Sequence, residues 1–464
     1  STGTVRTAVS DGQGRYTVSN LAPGIYQVTL ELSGFAPTRR DVTLGVGDAK
    51  AVDVAMPVAG VTEAVHVTGE ASPLDTESAR IGVNVSPAEI EQLPVNGRNF
   101  ANLMTLSTGA TTDGNGGWAS VRFNGKSNQQ NYLNYDGVDG TYVWDASPGY
   151  LHATGSQFRL QTSMESIAEF RVNSGLAPAE SGLGAGGNIT VVSKGGSNRL
   201  AGSVFEFLRN DALDSVSKYD GQKQDLEYNQ FGGSIGGPIA TNKTFFFASY
   251  EGLKQKTGLS FTEAVPSDEA IRRIQAGEPV GSGAGQSAAR TQAVAPLLAG
   301  FPRGTVATAN PLLALATLNT QADQREHTVS VRVDHRFTNN QSLYGRVMYS
   351  DGEVDTPDRT VTPRRVLATQ QPLNVVLNHQ MIVGTSVINE LKLGVNRPRY
   401  DALAFGPSAT TPRRCPSRAP SPRSRSTRAA PPASPPAACW FARPATRRPT
   451  ARPTIHARFR SAMR

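Results

Sequence analysis

Three glycine-rich segments of this 464-residue chain have residue spacings that occur at nucleotide sites or at hydrolase nucleophiles. The segment GLGAGG (182–187) has the spacing of a dinucleotide-binding loop, but it precedes a predicted strand instead of opening a helix. The segment GGSIG (232–236) has the spacing of a nucleophile elbow, yet glycine and proline flank it and no helix follows its serine. The segment GKS (125–127) ends like a phosphate-binding loop whose first glycine is replaced by Ser120. These contexts favour hairpins over catalysis.

Two carboxylates, Asp136 and Asp139, could hold a Ca²⁺ ion together with neighbouring carbonyl oxygens. A calcium loop carries ligands at alternate positions, and no such series supports this pair. The sequence therefore favours a solvated turn at 136–139 over a metal site. None of the six histidines is followed three residues later by glutamate, which excludes the ligand pair of a zinc carboxypeptidase. We expect no enzyme, no metal and no cofactor.

The last 54 residues, 411–464, differ sharply in composition from the rest of the chain. They contain 13 Arg, 11 Pro and 11 Ala, with no Asp, Glu, Lys, Gly, Val or Leu. Such a segment cannot bury enough apolar surface to offset its ordering entropy, so we expect a disordered tail. A basic arm for nucleic acid would have this composition. Out-of-frame reading of GC-rich codons gives it too, and the abrupt change after Phe405 favours that reading.

The charge of the chain depends on this tail. The whole chain has 46 basic and 38 acidic residues, a formal net charge of +8. Without the 13 tail arginines, 33 basic residues face 38 acidic ones, a net charge of −5 for residues 1–410, so we expect no nucleic-acid partner. Both cysteines, Cys415 and Cys439, lie in the tail, which excludes a disulfide framework in the body. No apolar run approaches the roughly 18 residues of a membrane helix.

The first 58 residues contain four short alternating runs separated by Gly, Pro and Asp, which predicts a small antiparallel β-sandwich. The runs are GRYTVSNL (14–21), GIYQVTLEL (24–32), RRDVTLGV (39–46) and AKAVDVAMPV (49–58). Pro23-Gly24 would form a turn, and tyrosines would pack across strands. The stretch 11–35 resembles the carboxypeptidase regulatory-like domain, which has a transthyretin-like, carbohydrate-binding-like fold. The resemblance implies no peptidase, and we expect the first strands to precede Ser1.

Residues 76–199 mix helices and strands and predict a small α+β domain. A capped helix is expected from Ser86. A second helix is expected over 98–110, with one apolar side formed by Phe100, Leu103, Met104 and Leu106. Predicted strands follow in SVRFNG, QNYLNYDGV, the second half of SMESIAEFRVNSG, and GGNITVVSKGG.

From Leu200 onward the chain alternates apolar and polar residues over longer runs. Two hairpins are clear, over 326–350 and 373–397. In the first, Val329, Val331 and Val333 face one side, and Ser330, Arg332 and Asp334 face the other. Alternation fits both a soluble sandwich and a lipid-facing barrel, but strands of about ten residues favour a barrel. The region 264–326 lacks the pattern and is expected to be a long extracellular loop.

Several motifs in fixed order resemble the plug and barrel of Oar-like TonB-dependent receptors. They are LPVNGRNFANLMTLSTG, NYLNYDGV, SMESIAEFRV, AESGLGAGGNITVVSKGGSNRLAGSVFEFLRN and NQFGGSIGGPI followed by NKTFFFASYEG. The resemblance covers about residues 1–400. It implies a mainly β fold with a truncated sandwich (1–58), a linker (59–75), a plug (76–199), the first part of an antiparallel transmembrane barrel (200–410) and the tail.

The resemblance also places the exit from the plug. Asn188–Ser193 would be the last plug strand and 200–208 the first barrel strand, with a tight turn between them. The junction residues are Gly186, Gly187, Lys194, Gly195, Gly196 and Asn198. The glycines before the last plug strand are expected to allow positive φ and close backbone approach.

The segment VTEAVHVTGEASP (61–73) resembles a TonB box, the strand that such receptors offer to the periplasmic protein TonB. Its central residues are Glu63, Ala64, Val65, His66, Val67 and Thr68. Recognition would use β-augmentation, in which main-chain hydrogen bonds to a partner sheet edge provide the affinity. An ordinary linker, or an extra strand of the first domain, is the alternative.

The resemblance therefore implies part of an outer-membrane transporter that takes up a large or scarce extracellular substrate in an energised manner. Its partners would be TonB and outer-membrane lipid, and its first domain would lie in the periplasm. A secreted adhesin or carbohydrate-binding protein is the competing class, and a hydrolase is third because no triad or metal set is present.

The reading frame provides the first testable expectation. A plugged transporter barrel has about 22 strands, and 200–410 supply about eight. We expect a one-base correction near codon 405 to restore alternating strands and a terminal aromatic residue. Resequencing that region checks this. An unbroken frame, with stable membrane insertion of the 464-residue chain, would contradict it.

Overall fold

The structure is a computed structural model made mostly of β-strands with few helices. It describes residues 5–19, 21–59, 82–93, 95–112, 121–127, 130–140, 162–175, 184–216, 223–278, 288, 291, 293, 295–357, 365–384, 387–405 and 454–461. No helix within these ranges is long and apolar enough to cross a membrane.

The N-terminal domain, residues 5–59, has one antiparallel pair of strands, β1 (Gly24–Leu30) and β2 (Thr38–Leu44). The prediction of four strands was wrong for the runs 14–21 and 49–58, which form no strand in the described part of the chain. These two runs are joined through a side chain, because the Tyr16 hydroxyl donates to the Val52 carbonyl at 2.8 Å. A strand requires a main-chain ladder, and this contact does not provide one.

The central domain, residues 82–193, has seven strands: five form one sheet, two form a separate pair, and short helices flank them. Its strands are β3 (Gly82–Val85), β4 (Ala110–Thr112), β5 (Val121–Phe123), β6 (Tyr132–Tyr135), β7 (Val138–Asp139), β8 (Ile167–Asn173) and β9 (Asn188–Ser193). The sheet order is β3-β8-β9-β6-β7, with β6 and β9 parallel, while β4 and β5 form a separate pair. Its helices are α1 (Pro87–Gln92) and 3₁₀ helices at Asn96–Arg98, Phe100–Leu106 and Met164–Ser166.

Helix α1 starts where the sequence predicts it. Ser86 accepts from the Glu89 backbone N–H, and the Glu89 carboxylate accepts from the Ser86 backbone N–H, which completes a capping box. The second predicted helix is a 3₁₀ helix that buries Phe100, Leu103 and Met104. Leu106 was wrongly placed on the buried side: it is the last residue of this helix and is exposed, because the helix ends there beyond the core.

The large sheet contains eleven strands. They are β10 (Ala201–Asn210), β11 (Leu226–Ala240), β12 (Thr244–Pro266), β13 (Val306–Ala307), β14 (Leu313–Thr338), β15 (Gln341–Pro357), β16 (Arg365–Gln370), β17 (Leu373–Val383), β18 (Val387–Arg397), β19 (Tyr400–Phe405) and β20 (Thr454–Ser461). The main path runs β10-β11-β12-β14-β15-β17-β18-β20, and all pairs are antiparallel. Helix α2 (Asp268–Gln275) and 3₁₀ helices at Asp211–Leu213 and Ala295–Gly300 lie in its connections. Among the described residues β10 and β20 are the ends of this path, so the sheet is not closed.

The predicted alternation of faces is confirmed in β14. Val329, Val331 and Val333 have exposed fractions of 40%, 42% and 40%, whereas Thr328 and Ser330 are buried. Successive side chains of a strand point to opposite faces. The large sheet therefore has an apolar outer face and a polar inner face that packs on the central domain.

The predicted extracellular loop 264–326 is shorter than expected. β12 continues to Pro266 and β14 begins at Leu313, with an unbroken register from Thr257↔Ala322 to Pro266↔Leu313. The loop proper spans 267–312. The alternation was overlooked because this part of β14 is rich in Ala and Thr, so its two faces differ little in polarity. A tilted strand crosses a bilayer in about 9–11 residues, so the hairpin continues well beyond it.

The tail prediction also needs a correction, because Thr454–Ser461 forms β20 and pairs with β18 from Asn389↔Ser461 to Asn396↔Thr454. Its sequence TIHARFRS alternates, which suits a strand. The free edge of β18 offers unpaired backbone N–H and C=O groups to such a segment.

The two ends of the large sheet differ. Turns at 241–243 and 339–340 are short, whereas the connections 211–225 and 267–312 at the other end are long. Outer-membrane barrels have short periplasmic turns and longer extracellular loops. The end that carries the short turns is therefore the periplasmic end.

Val331→Arg tests the lipid-facing side of the sheet. Val331 lies seven residues before Thr338, where β14 ends at a short turn, and faces outward. We expect the free energy of unfolding to fall by about 2–4 kcal/mol, measured by urea titration in lipid vesicles. Val331→Leu is the matched control and should change little. Ser330, on the opposite face of the strand, is 2% exposed, so an arginine there does not serve as a control. Equal stability of Val331→Arg and Val331→Leu would contradict a membrane-facing side.

Candidate functional site between the central domain and the large sheet

Asp136 is the centre of the contact between the central domain and the large sheet. It lies in the turn between β6 and β7 with a left-handed φ of 51° and is 6% exposed. Its carboxylate accepts hydrogen bonds from the Ser193 backbone N–H at 2.9 Å and the Ser193 hydroxyl at 2.8 Å. The third donor is Nε of Arg346 on β15. Asp136 is thus buried and bound by donors of the chain, so the interpretation as a solvated turn was wrong.

Arg346 is the deepest charged side chain of this cluster, with 1% of its surface exposed. Its Nη2 donates to Oδ1 of Asn374 on β17. Its guanidinium lies 4.0 Å from the ring centroid of Tyr135 in the central domain. A single arginine therefore bridges two strands of the large sheet and the central domain.

Arg332 on β14 forms a second bridge. Its Nη1 donates to the Ser193 carbonyl at 3.0 Å and to the Ser193 hydroxyl at 2.9 Å. Its Nη2 donates to Oδ1 of Asp334 at 2.7 Å, and its guanidinium lies 4.2 Å from the Tyr344 ring centroid. Nη1 of Arg332 is also 3.9 Å from Oδ1 of Asp136. Two cations from the sheet thus converge on one carboxylate of the central domain.

The electrostatics of Asp136 follow from this arrangement. Burial alone would raise the pKa of its carboxyl group, but Arg346, Arg332 and the hydrogen bonds from Ser193 together hold that pKa below its ordinary value. Asp136 is consequently ionised in the folded protein, and the two arginines balance its negative charge. Removing one partner of a buried ion pair leaves the other charge uncompensated, which is strongly destabilising.

A second polar network starts from Arg98, in the helix after α1. Its Nη2 donates to Oε1 of Glu165 at 2.6 Å. The other oxygen of Glu165 accepts from hydroxyls on the large sheet, Ser203 of β10 at 2.8 Å and Ser234 of β11 at 3.3 Å. The guanidinium of Arg98 lies 4.2 Å from the ring centroid of Phe205 on β10. This network binds the central domain to the first two strands of the large sheet.

Glu251 on β12 extends this network to a third strand. It is 0% exposed and accepts a hydrogen bond from the hydroxyl of Ser163 in the central domain. Gln230 of β11 donates to its other oxygen, which lies 3.6 Å from Nε of Arg98. Every strand from β10 to β15 on the main path therefore contacts the central domain through a polar side chain.

Glycine is required at several of the predicted junction positions because their backbone passes very close to atoms of neighbouring residues. A Cβ at Gly196 would lie 2.3 Å from the Phe246 carbonyl oxygen and 2.9 Å from that of Gly237, so only glycine fits there. A Cβ at Gly187 would lie 2.3 Å from the Phe123 ring, and one at Gly186 would lie 2.5 Å from Oδ1 of Asn131. None of these glycines has positive φ, and that part of the prediction was wrong.

The other junction residues tie the chain to its surroundings between β9 and β10. Gly195 lies against the Arg332–Asp334 pair, because a Cβ there would be 3.2 Å from Oδ2 of Asp334. Lys194 pairs with Glu91 at 3.1 Å. Asn198 donates to Oδ1 of Asn242 at 2.7 Å and accepts from the Asn242 backbone N–H at 2.8 Å. Between β9 and β10 the chain bends only at 198–199. The expected tight turn is therefore absent at Gly195 and Gly196.

The TonB-box-like residues Glu63–Thr68 lie outside the described residues. Sequence reasoning missed Arg98, Glu251, Arg332 and Arg346 as members of the interface. The alternation in the hairpin 326–350 gave a partial signal, because it placed Arg332 on the polar face. Their partner Asp136 is about 200 positions away, and nothing in the sequence pairs them.

The interface holds the two parts together and has no geometry for catalysis. Its carboxylates, Asp136, Glu165 and Glu251, are each bound by donors from the chain itself. Within the described ranges no group of three or more His, Cys, Asp and Glu side chains could hold a metal ion.

Asp136→Asn tests the buried charge cluster. It leaves Arg346 and Arg332 without their shared counter-charge, so we expect a loss of about 3–5 kcal/mol in the free energy of unfolding. Urea titration of the purified protein measures this. The double variant Asp136→Asn with Arg346→Gln should lose less than the sum of the single variants. Asp214→Asn, the same change in the exposed Arg209–Asp214 pair, is the control and should cost at most about 1 kcal/mol.

The pH dependence of stability provides an independent measurement of the same residue. Because the folded pKa of Asp136 lies below the unfolded value, its contribution is complete above about pH 3.8 and is lost as pH falls through the folded pKa. Asp136→Asn should remove that part of the acid destabilisation. An unchanged dependence of stability on acid pH in Asp136→Asn would contradict the charge cluster. So would a loss of stability in the double variant equal to the sum of the losses in the single variants.

Comparisons with known proteins support the motif-based resemblance. The family model described as carboxypeptidase regulatory-like domain matches residues 1–57. The TonB-dependent transporter Oar of Myxococcus xanthus is 29% identical over 265 residues, which are 53% of this chain and 23% of that protein. The chain thus spans about a quarter of the length of this relative.

Solved structures of outer-membrane receptors were also matched. The outer membrane transporter YddB from Escherichia coli is 12% identical, with a TM-score of 0.43 over 68% of this chain and 39% of that one. BauA, the ferric preacinetobactin receptor from Acinetobacter baumannii, is 13% identical, with a TM-score of 0.39 over 71% and 48%.

The family assignment rests on the large sheet. The family model described as outer membrane beta barrel domain matches residues 192–436, which begins within β9 and continues past the predicted barrel boundary at 410. This match covers more than half of the chain. The chain therefore belongs to the outer membrane β-barrel domain family.

Proposed function

We propose that this chain is the plug-bearing part of an outer-membrane TonB-dependent transporter that takes up an extracellular substrate in an energised manner. In this proposal 76–199 is the plug, 200–410 is the first part of the barrel, and 1–58 lies in the periplasm. The observation that carries the proposal is the burial of Asp136 between Arg346 and Arg332, which fixes the central domain to the inner face of the sheet.

The chemistry of this contact suits a part that must move. An apolar interface loses its stabilisation when water enters, because its energy comes from excluding water. A buried ion pair is close to energetic balance, since the attraction between the charges offsets their desolvation. When water enters during displacement, Asp136, Arg332 and Arg346 regain hydration in exchange for their contacts. A plug held in this way remains seated at rest and is displaced at a moderate cost.

The relatives support a transporter and leave the substrate open. Oar is a TonB-dependent transporter by name, and BauA is a ferric preacinetobactin receptor. For this chain we propose a large or scarce extracellular substrate of unspecified chemistry. Membership in an outer-membrane barrel family counts against the secreted adhesin or carbohydrate-binding alternative.

Energy input would come from TonB through the segment Glu63–Thr68. Alternation of Glu63, Val65 and Val67 suits a strand that adds to a partner sheet edge. The segment precedes β3 (Gly82–Val85), the edge strand of the central sheet, which is bound by only four residue pairs to β8. A pull on the segment would therefore load this edge strand first.

A disulfide between the central domain and the sheet tests occlusion of the lumen. Val138 on β7 and Gly394 on β18 suit this, because a Cβ at Gly394 would lie 3.0 Å from Cβ of Val138. The strands need to separate by only about 0.5–1 Å at this point to reach the Cβ–Cβ distance of a disulfide, about 3.5–4.5 Å. In the complete protein with Val138→Cys and Gly394→Cys, we expect potassium chloride conductance across planar bilayers to stay at the closed level in urea. Reduction should restore the urea-induced opening.

Val138→Cys alone is the matched control and should open in urea as the parent protein does. Gly394→Cys alone would place its Cβ 2.4 Å from Cγ2 of Val138, so it does not serve as a control. Opening of the oxidised double variant to the same extent would contradict the proposal that the central domain closes the pore.

Val65→Pro tests the partner strand. Proline removes a backbone N–H from the segment, so a synthetic 61–73 peptide with this change should lose binding to the periplasmic C-terminal domain of TonB in calorimetric titration. Val65→Thr keeps the N–H and the β-branched shape and should bind. In cells Val65→Pro should abolish energised uptake and leave surface binding of substrate intact. Equal binding of the proline and threonine peptides would contradict β-augmentation at this segment.

A further inference from the structure

The N-terminal domain docks on the central domain through a short loop, Val46–Asp48, that follows β2. The Val46 backbone N–H donates to Oε1 of Glu169 on β8 at 2.7 Å. Nη1 of Arg171, two residues further along β8, donates to the Val46 carbonyl at 3.2 Å and to Oδ1 of Asp48 at 3.0 Å. The loop thus presents a donor to the carboxylate and two acceptors to the guanidinium. This complementarity fixes its position on the strand.

Glu169 and Arg171 lie on the face of β8 opposite to the apolar core. The core side of the strand carries Phe170 and Val172, which are fully buried in the main cluster. Glu169 and Arg171 are nevertheless only 5% and 7% exposed. Charged side chains on a non-core face are buried here because the docked loop covers them. Burial raises the pKa of the Glu169 carboxyl group, and the hydrogen bond from Val46 partly opposes this rise.

The same carboxylate also holds β3, because the side chain of Asn84 donates a hydrogen bond to Glu169. Among the described strands β3 is an edge strand whose partner is β8, from Gly82↔Asn173 to Val85↔Phe170. The loop packs tightly against this contact. A Cβ at Gly45 would lie 1.9 Å from Nδ2 of Asn84 and 2.7 Å from Oε1 of Glu169.

A second contact fixes the docked N-terminal domain at the periplasmic end. Nη1 of Arg6 donates to the carbonyl of Asn339, in the short turn between β14 and β15, at 3.0 Å. The N-terminal domain therefore spans from the central domain to the rim of the large sheet.

We propose that the loop Val46–Asp48 is a latch that docks the N-terminal domain and, through the shared Glu169, also keeps β3 on the central sheet. Undocking the domain removes a donor from Glu169 and uncovers Asn84, so it loosens β3. Loosening β3 removes Asn84 from Glu169 and weakens the docking in turn. The segment 60–81 joins these two units, so its two ends are released together. The inference concerns the resting protein and goes beyond the proposed uptake, since it needs no substrate.

The test compares Gly45→Ala with Gly12→Ala in the full chain, with Cys415 and Cys439 replaced by serine. A Cβ at Gly12 meets nothing within 4 Å, so it is the matched control in the same domain. Spin labels at the exposed positions Thr29 and Gln92 report the distance between the two domains. The parent and Gly12→Ala should give one narrow distance distribution, and Gly45→Ala should lose that peak. Amide exchange at β3 should become about tenfold faster in Gly45→Ala.

Arg171→Met removes the guanidinium contacts from the central-domain side, so the test does not depend on how the loop tolerates alanine. It should broaden the distances and accelerate exchange at β3 in the same way. Narrow distributions in both variants would overturn the docking role of the loop. Broad distances with unchanged exchange at β3, or faster exchange spread evenly over β8 and β9, would overturn the coupling.

Discussion

The buried charge of Asp136 is the constraint on which the rest of the structure depends. A carboxylate out of water is tolerated only when donors and cations replace its hydration. Here β9 supplies the donors through Ser193, and β14 and β15 supply the cations Arg332 and Arg346. The central sheet and the large sheet must therefore adopt one relative position, because any shift separates one of these groups from the carboxylate.

The alternation of the strands determines why this contact is polar. A strand that faces lipid with Val329, Val331 and Val333 must place the intervening residues on its inner face. Those residues are polar or charged, since a barrel alternates apolar-out and polar-in. These side chains do not fill all of one another's hydrogen-bonding positions within a single sheet. The central domain completes their hydrogen bonding, as Ser163 does for Glu251 and Tyr135 does for the face of Arg346.

Local rules made parts of the fold predictable from sequence. The capped start of α1 at Ser86 and the two faces of β14 depend on neighbours a few positions away, and both were predicted correctly. Asp136 was misinterpreted because its partner Arg346 is 210 positions distant and only the folded chain brings them together. Gly187 shows a second limit, since sequence does not distinguish a glycine required by positive φ from one required by contact with the Phe123 ring.

The order in which the polar attachments would yield follows from their connectivity. A pull on the segment before Gly82 acts first on β3, which has four residue pairs with β8, and then on β8, which has six with β9. β9 ends at Ser193, and Ser193 provides two of the donors that keep Asp136 ionised without water. Displacement of β9 would therefore remove these donors and leave the carboxylate under-solvated, which favours entry of water between the two sheets. The hydrated ions would then no longer oppose separation. Under the proposed function, the contact that holds the central domain at rest would therefore also be the point where it opens.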